Sequence, residues 1–267
     1  MNKEPDLFSG ALDAVGETRV LYLDTETTGA DPETAHICEV AFLLSTYSGF
    51  NRRPEQDVQF QKLVKPPGQV PPEASAIHHI TNEMLKDEPS IQDISGRIFE
   101  LFRQADCISA HNLPYDLAIL TRELPGVLQG MDSSSRLDSL RLSRHLWPLI
   151  PSHSLQALRY RFSLDSGITG EAHRAMFDTE LVRSLVEYAI EQHIFNGNNW
   201  AELVEYVMSP LEVKVFSFGK YRGKLVEDIA AQDRDYIMWL LKQDWIPRDY
   251  PDLYHTILEK SSVDGRG

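Results

Sequence analysis

Two carboxylates lie close together near the start of the chain, directly after an apolar run. Val20–Leu23 leads into Asp24, and Glu26 follows two residues later. Side chains at i and i+2 of a strand share a face, so both acids point the same way if the strand continues through Glu26. Burying either acid without a partner is costly, whereas two carboxylates that converge on a cation avoid this cost. The alternative is that the strand has already ended and both acids are solvated.

A third acid falls on the apolar face of a predicted helix. Asp178 has helical spacing from Ala175 and Leu181, so it shares the core-facing stripe of that helix. An aspartate in this position needs a partner. The partner would be an arginine, with Arg174 and Arg183 near in sequence, or a metal ion.

A histidine and a fourth acid complete the set of candidates. His173 precedes Asp178 by five residues, so both face one site only if His173 lies before the helix or in its first turn. Asp116 follows Pro114 in the first turn of another predicted helix, where an acid commonly complements the helix dipole. The preceding strand, 107–110, places Asp116 at a strand-to-helix junction, where α/β folds often build sites.

The elements that position these residues are predicted from the apolar pattern. A helical period covers Ile91 to Phe102, and strands are expected over 19–24, 37–44, 58–64 and 107–110. Further helices are expected from Pro114 onward and over 138–147, 154–161 and 172–193. This order predicts a mixed α/β sheet flanked by helices.

Length and turn signals predict two domains. The 267 residues, 42% of them hydrophobic, suffice for one large domain and one small domain. Asn196–Asn199 is typical of a break between domains. The predicted boundaries are a flexible tail over 1–18, a large domain over 19–195, a linker over 196–210, a small α+β module over 211–260 and a tail over 261–267.

Charge and cysteine content exclude several classes of protein. The formal net charge of −14 argues against a protein that coats nucleic acid, because long-range repulsion opposes it. Two cysteines, Cys38 and Cys107, cannot build a disulfide framework or a zinc ligand set. The sequence shows no secretory signal and no membrane-length apolar run. We therefore expect a cytoplasmic protein without membrane contacts.

The order of the candidate residues resembles the three motifs of the DEDDh class of 3′–5′ exonucleases. The motifs are Asp24–Gly29, His111–Asp116 and His173–Asp178, and Leu137–Arg144 resembles the segment that follows the second motif. The resemblance covers about residues 19–193. It implies a ribonuclease-H-like fold and a catalytic set formed by Asp24, Glu26, Asp116, His173 and Asp178.

The resemblance also implies two divalent metal ions, Mg²⁺ with Mn²⁺ as a substitute. Asp24 would contact both ions, Glu26 and Asp178 the ion that carries the attacking water, and Asp116 the other ion. His173 would accept the proton of that water. The implied substrate contacts are Thr27, Thr28, His78, Asn112 and Tyr115.

Two positions depart from the pattern of the class. Ala76–Thr81 resembles a loop that contacts the substrate strand, but His79 occupies a position where glycine is usual. Tyr115 replaces the commoner phenylalanine.

The C-terminal module carries a second resemblance. Phe216–Lys224 and Asp235–Leu240 resemble the C-terminal segment of exodeoxyribonuclease X-like proteins, and Val215–Val226 contains no acid. One interpretation is a nucleic-acid surface, because bases stack on aromatic rings and phosphates pair with Lys and Arg. The alternatives are a solvated basic hairpin over a small aromatic core, or a surface for a protein partner. The candidate contacts are Lys220, Tyr221, Arg222 and Lys224.

Together these resemblances imply an exodeoxyribonuclease that releases 5′-mononucleotides from DNA 3′ ends, single-stranded ends in particular, in DNA repair. A polymerase proofreading subunit or an RNA-trimming exonuclease is the alternative within the class, because the metal site does not distinguish the sugars. A non-catalytic nucleic-acid-binding module is the alternative of another class. The intact set of five catalytic residues argues against it.

Overall fold

The computed structural model describes residues 16–51, 53–131, 133–168, 174–192, 195 and 197–263. The chain forms two compact units, 1–207 and 208–267. Strand β1 begins at Glu17, so the end of the predicted N-terminal tail belongs to the first unit. None of the helices in the described part of the chain is long and apolar enough to cross a membrane.

The first unit contains a five-stranded mixed sheet with the order β3-β2-β1-β4-β5. The strands are β1 (Glu17–Thr27), β2 (Ile37–Ser48), β3 (Gln56–Leu63), β4 (Cys107–Ala110) and β5 (Arg136–Asp138). Strand β1 pairs antiparallel with β2 and parallel with β4. It therefore lies where the antiparallel half of the sheet meets the parallel half. The predicted fold class is confirmed, with β5 as an added strand that is too short to show a sequence pattern.

Helices cover both faces of this sheet. Successive side chains of β1 point to opposite sides, and the apolar side chains on each side are buried under helices. Val20 and Tyr22 pack in one buried cluster, and Leu21 and Leu23 pack in another. The helices of this unit are α1 (Pro72–His78), α2 (Ser95–Gln104), α3 (Leu113–Glu123), α4 (Ser139–Leu146), α5 (Leu155–Phe162), α6 (Ala175–Glu191) and α7 (Trp200–Met208). Helix α1 begins at Pro72, since a proline is tolerated at the first helical position.

Helix α7 occupies most of the stretch predicted as a linker, and that prediction is corrected here. Trp200 is buried, and its ring centroid lies 4.9 Å from that of Tyr47 on β2. The Asn199 side chain accepts a hydrogen bond from the Glu202 N–H at 2.8 Å. The asparagine-rich stretch therefore begins a helix of the first unit.

The second unit is a small helical module. Its helices are α8 (Val226–Gln232), α9 (Arg234–Leu241), α10 (Trp245–Asp249) and α11 (Pro251–Val263). They surround a core that includes Phe216, Leu240 and Ile257. Among the described residues, the β content of the predicted α+β module is one isolated bridge between Val215 and Leu225.

Candidate active site

Three of the four predicted acids converge at one end of β1. The strand continues to Thr27, so Asp24 and Glu26 share the face that packs against α6, as the sequence predicted. Asp178 lies in the first turn of α6 and is buried. One carboxylate oxygen from each of these residues lies within 4.8 Å of the other two. This spacing allows all three to contact a single cation.

Asp116 reaches the same region from the start of α3. Its Oδ1 accepts hydrogen bonds from the Thr25 N–H at 3.1 Å and the Thr25 hydroxyl at 2.8 Å. Its charge also raises the pKa of Asp24. The fourth acid is therefore fixed against β1, beside the other three.

The junction before α3 depends on a residue whose role the sequence did not reveal. Asp138, at the end of β5, accepts hydrogen bonds from the N–H groups of Asn112 at 3.0 Å and Leu140 at 2.9 Å. Asn112 itself adopts a left-handed backbone conformation with φ 74°. Asp138 thus caps α4 and holds the turn that presents Asp116.

Burial and mutual repulsion disfavour the charged form of these acids. Burial, followed by the charges of Asp116 and Glu26, raises the pKa of Asp24 well above its ordinary value. Burial, followed by the charge of Asp178, raises the pKa of Glu26 to about 8. Burial raises the pKa of Asp116 to about 7. A divalent cation among these oxygens would offset the repulsion, and oxygen donors are the ligands that Mg²⁺ and Mn²⁺ prefer. The residues therefore fit such ions.

An ion pair between a buried carboxylate and a partly exposed arginine positions the helix that carries Asp178. Glu39 is buried on β2, and its carboxylate accepts hydrogen bonds from Arg174 at 2.9 and 3.3 Å and from the Ala175 N–H at 3.2 Å. Gln156 Nε2 donates to Asp178 Oδ1 at 2.7 Å. The sequence suggested Arg174 and Arg183 as partners of Asp178, but Arg183 pairs with Asp57. The only sequence signal for Glu39 is an acid inside the apolar run of β2.

The predicted substrate contacts line one pocket beside the acids. It has a volume of about 670 Å³ and includes Glu26 in its wall, together with Thr27, Thr28, His78, Asn112 and Tyr115. The Tyr115 hydroxyl donates to the Gly29 carbonyl at 2.5 Å and lies 2.7 Å from Thr27 Oγ1. It therefore ties the turn after β1 to α3, which a phenylalanine would not do.

The structure adds one residue to the pocket and changes the interpretation of another. Ile77, on α1, lines the pocket with 57% of its surface exposed. It lies within Ala76–Thr81, the segment that resembles a substrate-contacting loop, but it was not among the individual contacts predicted from the sequence. His78 is buried, its Nδ1 accepts from the Ile80 N–H at 3.0 Å, and its Nε2 lies 3.7 Å from Cys38 Sγ. Both ring nitrogens thus face the protein, and the geometry favours a positioning role over the predicted direct contact.

The preference of the resembled class for glycine, where this chain has His79, also has a physical reason. His79 ends α1 with a φ of 62°, in the left-handed region that glycine adopts without strain. His173, the predicted general base, lies outside the described residues.

The predicted contacts of the second unit differ in their surroundings. Lys220 Nζ pairs with Asp233 at 2.9 Å, and the Tyr221 hydroxyl donates to the same carboxylate at 2.5 Å. Arg222 and Lys224 are exposed in the adjoining turn.

Comparison with known proteins identifies the family. The exonuclease family matches residues 21–185. This chain belongs to that family. The exodeoxyribonuclease X-like C-terminal family matches residues 216–244. Members of the exonuclease family that resemble this chain include Exodeoxyribonuclease 10 of Escherichia coli (strain K12), which is 30% identical over 181 residues, 67% of this chain and 74% of that protein.

Another relative is DNA polymerase III subunit epsilon of Rickettsia prowazekii (strain Madrid E), with 30% identity over 169 residues, 61% of this chain and 70% of that protein. The chain is accordingly a 3′–5′ exonuclease and a phosphodiester hydrolase. Exonucleases of this type use divalent metals, which agrees with the cluster of Asp24, Glu26 and Asp178.

Solved structures share the fold. Exonuclease X in complex with 5′ overhanging duplex DNA has a TM-score of 0.53 and 24% identity, over 70% of this chain and 99% of that chain. E. coli Exonuclease I in complex with a dT13 oligonucleotide has a TM-score of 0.54 and 21% identity, over 66% of this chain and 42% of that chain. At these identities the likeness concerns the fold of the exonuclease family alone.

Proposed function

We propose that this exonuclease is a two-metal, 3′–5′ exodeoxyribonuclease that releases 5′-mononucleotides from DNA. The convergence of three carboxylate oxygens within 4.8 Å beside a pocket of about 670 Å³ carries the proposal. A pocket of this volume accommodates a ligand of nucleotide size. The 30% identity to a protein named exodeoxyribonuclease supports DNA as the substrate.

The four acids would divide two ions between them. Asp24 would contact both, Glu26 and Asp178 one, and Asp116 the other. Bound Mg²⁺ or Mn²⁺ would stabilise the attacking and leaving oxygens of the phosphodiester. The protein supplies the orientation of these ligands, since Thr25 fixes the Asp116 carboxylate and Gln156 fixes that of Asp178.

Proton transfer would fall to His173. An imidazole titrates near neutral pH, so it accepts a proton from water under ordinary conditions. This assignment rests on the resemblance of its motif.

The pocket would receive the terminal nucleotide of the strand. Ile77 provides an exposed apolar surface, and the turn held by Tyr115 forms another part of the wall. Contacts from Thr27, Thr28 and Asn112 would then orient the terminal sugar and phosphate.

The domain boundaries and biological setting form part of the same proposal. The exonuclease domain would include α7, and residues from about 211 to 260 would act as a separate module. The match of this module to the exodeoxyribonuclease X-like family favours a repair exonuclease in the cytoplasm over a proofreading subunit.

A degradation assay tests the proposal. The full chain is incubated with a 5′-labelled single-stranded DNA or the matching RNA, in Mg²⁺ or in chelator, and the products are separated on a denaturing gel. We expect a Mg²⁺-dependent ladder that shortens from the 3′ end, faster for DNA. Faster loss of RNA would instead establish an exoribonuclease, and intact label in every lane would contradict the nuclease assignment.

A further inference from the structure

The second unit presents an ordered stack of aromatic rings with a cation at one end. Lys220 Nζ lies 4.7 Å from the ring centroids of both Tyr221 and Tyr236. Trp239 stacks on Tyr236, with ring centroids 5.7 Å apart and an angle of 23° between the planes. We call Lys220, Tyr236 and Trp239 the aromatic stack. Trp239 is 50% exposed, so its indole has surface available to solvent.

Trp239 does not serve as a core residue of this unit. Within the part of the chain that the structure describes, Tyr221 and Tyr236 pack against the buried core of the unit, whereas Trp239 is absent from that set. Among the described residues, the aromatic ring that Trp239 contacts is that of Tyr236. Because a half-exposed tryptophan contributes little core stability, its position suggests a surface for a flat ligand.

The stack is held in place before any ligand binds. Asp233 accepts hydrogen bonds from Lys220 and Tyr221, and from the Tyr236 N–H at 3.0 Å. Gly219 has a φ of 71°, and a Cβ at this residue would lie 2.7 Å from the Tyr236 hydroxyl oxygen. The turn thus approaches Tyr236 too closely for a side chain. A ligand would meet ordered rings, which lowers the entropic cost of binding.

Positive charge adjoins the stack in an otherwise acidic protein. Arg222 and Lys224 are exposed in the turn that follows Tyr221. Residues 213–226 contain no acid. Residues 1–207 contain 17 Lys and Arg against 30 Asp and Glu, a net charge of −13, whereas residues 208–267 contain nine against ten, a net charge of −1. An anionic polymer is therefore repelled far less by the second unit than by the first.

We propose that the aromatic stack, with Arg222 and Lys224, binds a single-stranded segment of DNA. A base would stack on Trp239, and phosphates would pair with the two cations. The identity of the strand as DNA rests on the proposed function. An acidic peptide would use the cations but would gain nothing from the indole face.

Binding is measured with the full chain in chelator, so that turnover does not interfere. The probe is fluorescently labelled oligothymidylate of about 30 nucleotides, longer than the sites of about 4–16 nucleotides typical of single-strand binders. We expect Trp239→Leu to weaken binding about tenfold, because one stacked base contributes that much. Leu258→Ala changes a comparably exposed side chain of the same unit, 39% exposed, and should leave binding unchanged.

The charge contribution has its own readout. Arg222→Gln with Lys224→Gln should lower the slope of log affinity against log salt by about 1.4, because each phosphate contact on a single strand contributes about 0.7. Unchanged affinity in the Trp239 variant together with an unchanged slope in the double variant would overturn the proposal. Competition by polyglutamate as strong as that by oligothymidylate would also overturn it, in favour of an acidic protein partner.

Turnover distinguishes failure of this surface from failure of the proposed function. The ratio of kcat/KM on strands of about 30 nucleotides to that on strands of about 4 nucleotides should fall in the Trp239 variant, because the short strand has too few nucleotides to fill a single-strand site in addition to the catalytic pocket. An unchanged ratio counts against the surface and leaves the nuclease intact. No turnover of either strand by the parent chain counts against the proposed function alone.

Discussion

The two units each contain a carboxylate in a dense polar cluster, but the charge balance of the two clusters is opposite. In the first unit, burial and the charge of Asp178 raise the pKa of Glu26 to about 8. In the second unit, hydrogen bonds from Tyr221 and Lys220 lower the pKa of Asp233 to about 2. Both clusters bring ionisable side chains close together, within 4.8 Å for the acids of the first unit and at 2.9 Å for Lys220 and Asp233 in the second, so proximity alone does not distinguish them.

The difference teaches which acids need a ligand. Asp233 receives a cation, a hydroxyl and a backbone N–H, so its charge is compensated within the unit. Asp24 and Glu26 face further acids, and their repulsion requires a partner from outside the chain. An uncompensated cluster of acids is therefore better evidence of a metal site than the number of acids in it.

Replacing Asp24 should have the largest effect. Asp24→Asn removes the acid at the centre of the cluster and should reduce turnover by about 10³-fold or more, since metal stabilisation of the transition state contributes several kcal/mol. In chelator the same change should raise the thermal midpoint, because it removes repulsion. Both are read from nuclease assays and thermal unfolding, with Asp87→Asn as an exposed control. Retained turnover in Asp24→Asn would contradict the assignment of Asp24 as a ligand of the catalytic metal ions.

The pH dependence of the metal-free protein should reveal the uncompensated cluster. The pKa of Glu26 is about 8 in the folded chain and 4.5 ordinarily, so the unfolded chain releases this proton first as the pH rises. The free energy of unfolding in chelator should therefore decrease between about pH 4.5 and 8, by roughly 4 kcal/mol. Urea titrations at several pH values measure it. Added Mg²⁺ should flatten the decrease, and an identical slope with Mg²⁺ would contradict this explanation.

A third substitution removes the positive charge that compensates the buried carboxylate of Glu39. Arg174→Gln leaves the buried Glu39 carboxylate without its guanidinium partner and should lower the free energy of unfolding by about 2 kcal/mol. Turnover should fall as well, because the pair holds the start of α6. Arg97→Gln, which removes the exposed pair with Glu100, should cost less than about 1 kcal/mol. Equal losses in both variants would show that burial of Glu39 has no energetic role.

The smallest effect is expected at the compensated acid itself. The depressed pKa of Asp233, about 2 against 3.8 ordinarily, stabilises the fold above about pH 4, and this stabilisation is lost as the pH falls through 2. Asp233→Asn should therefore lower the temperature midpoint of unfolding of the second unit at neutral pH. The difference in this midpoint between the variant and the parent should vanish in acid. Tryptophan fluorescence follows the transition, with Asp235→Asn as the control. A difference that persists at low pH would assign the loss to packing.

Much of the fold was predictable because its signals are local. The apolar run before Asp24 predicts β1, and Cys107–Ala110 is a strand with the predicted bounds. The acids were identified by their order, and the structure brings Asp24, Glu26 and Asp178 together. Their individual roles, with that of His173, stay predictions.

The features that sequence reasoning missed depend on distant contacts. Glu39 and Arg174 are 135 positions apart, and no local pattern pairs them. Trp200 makes α7 part of the first unit through Tyr47, whereas the preceding asparagines alone resemble a linker. The contacts that both ring nitrogens of His78 make within the protein likewise depend on Cys38 and on the left-handed turn at His79.

The three clustered acids come from β1 and from α6, which follows most of the first unit in the sequence. A nascent chain on the ribosome holds Asp24 and Glu26 long before it holds Asp178. Because the cluster needs both elements packed together, an incomplete or unfolded chain has no assembled metal site. The exonuclease site is therefore assembled only after α6 has been synthesised and has packed against β1.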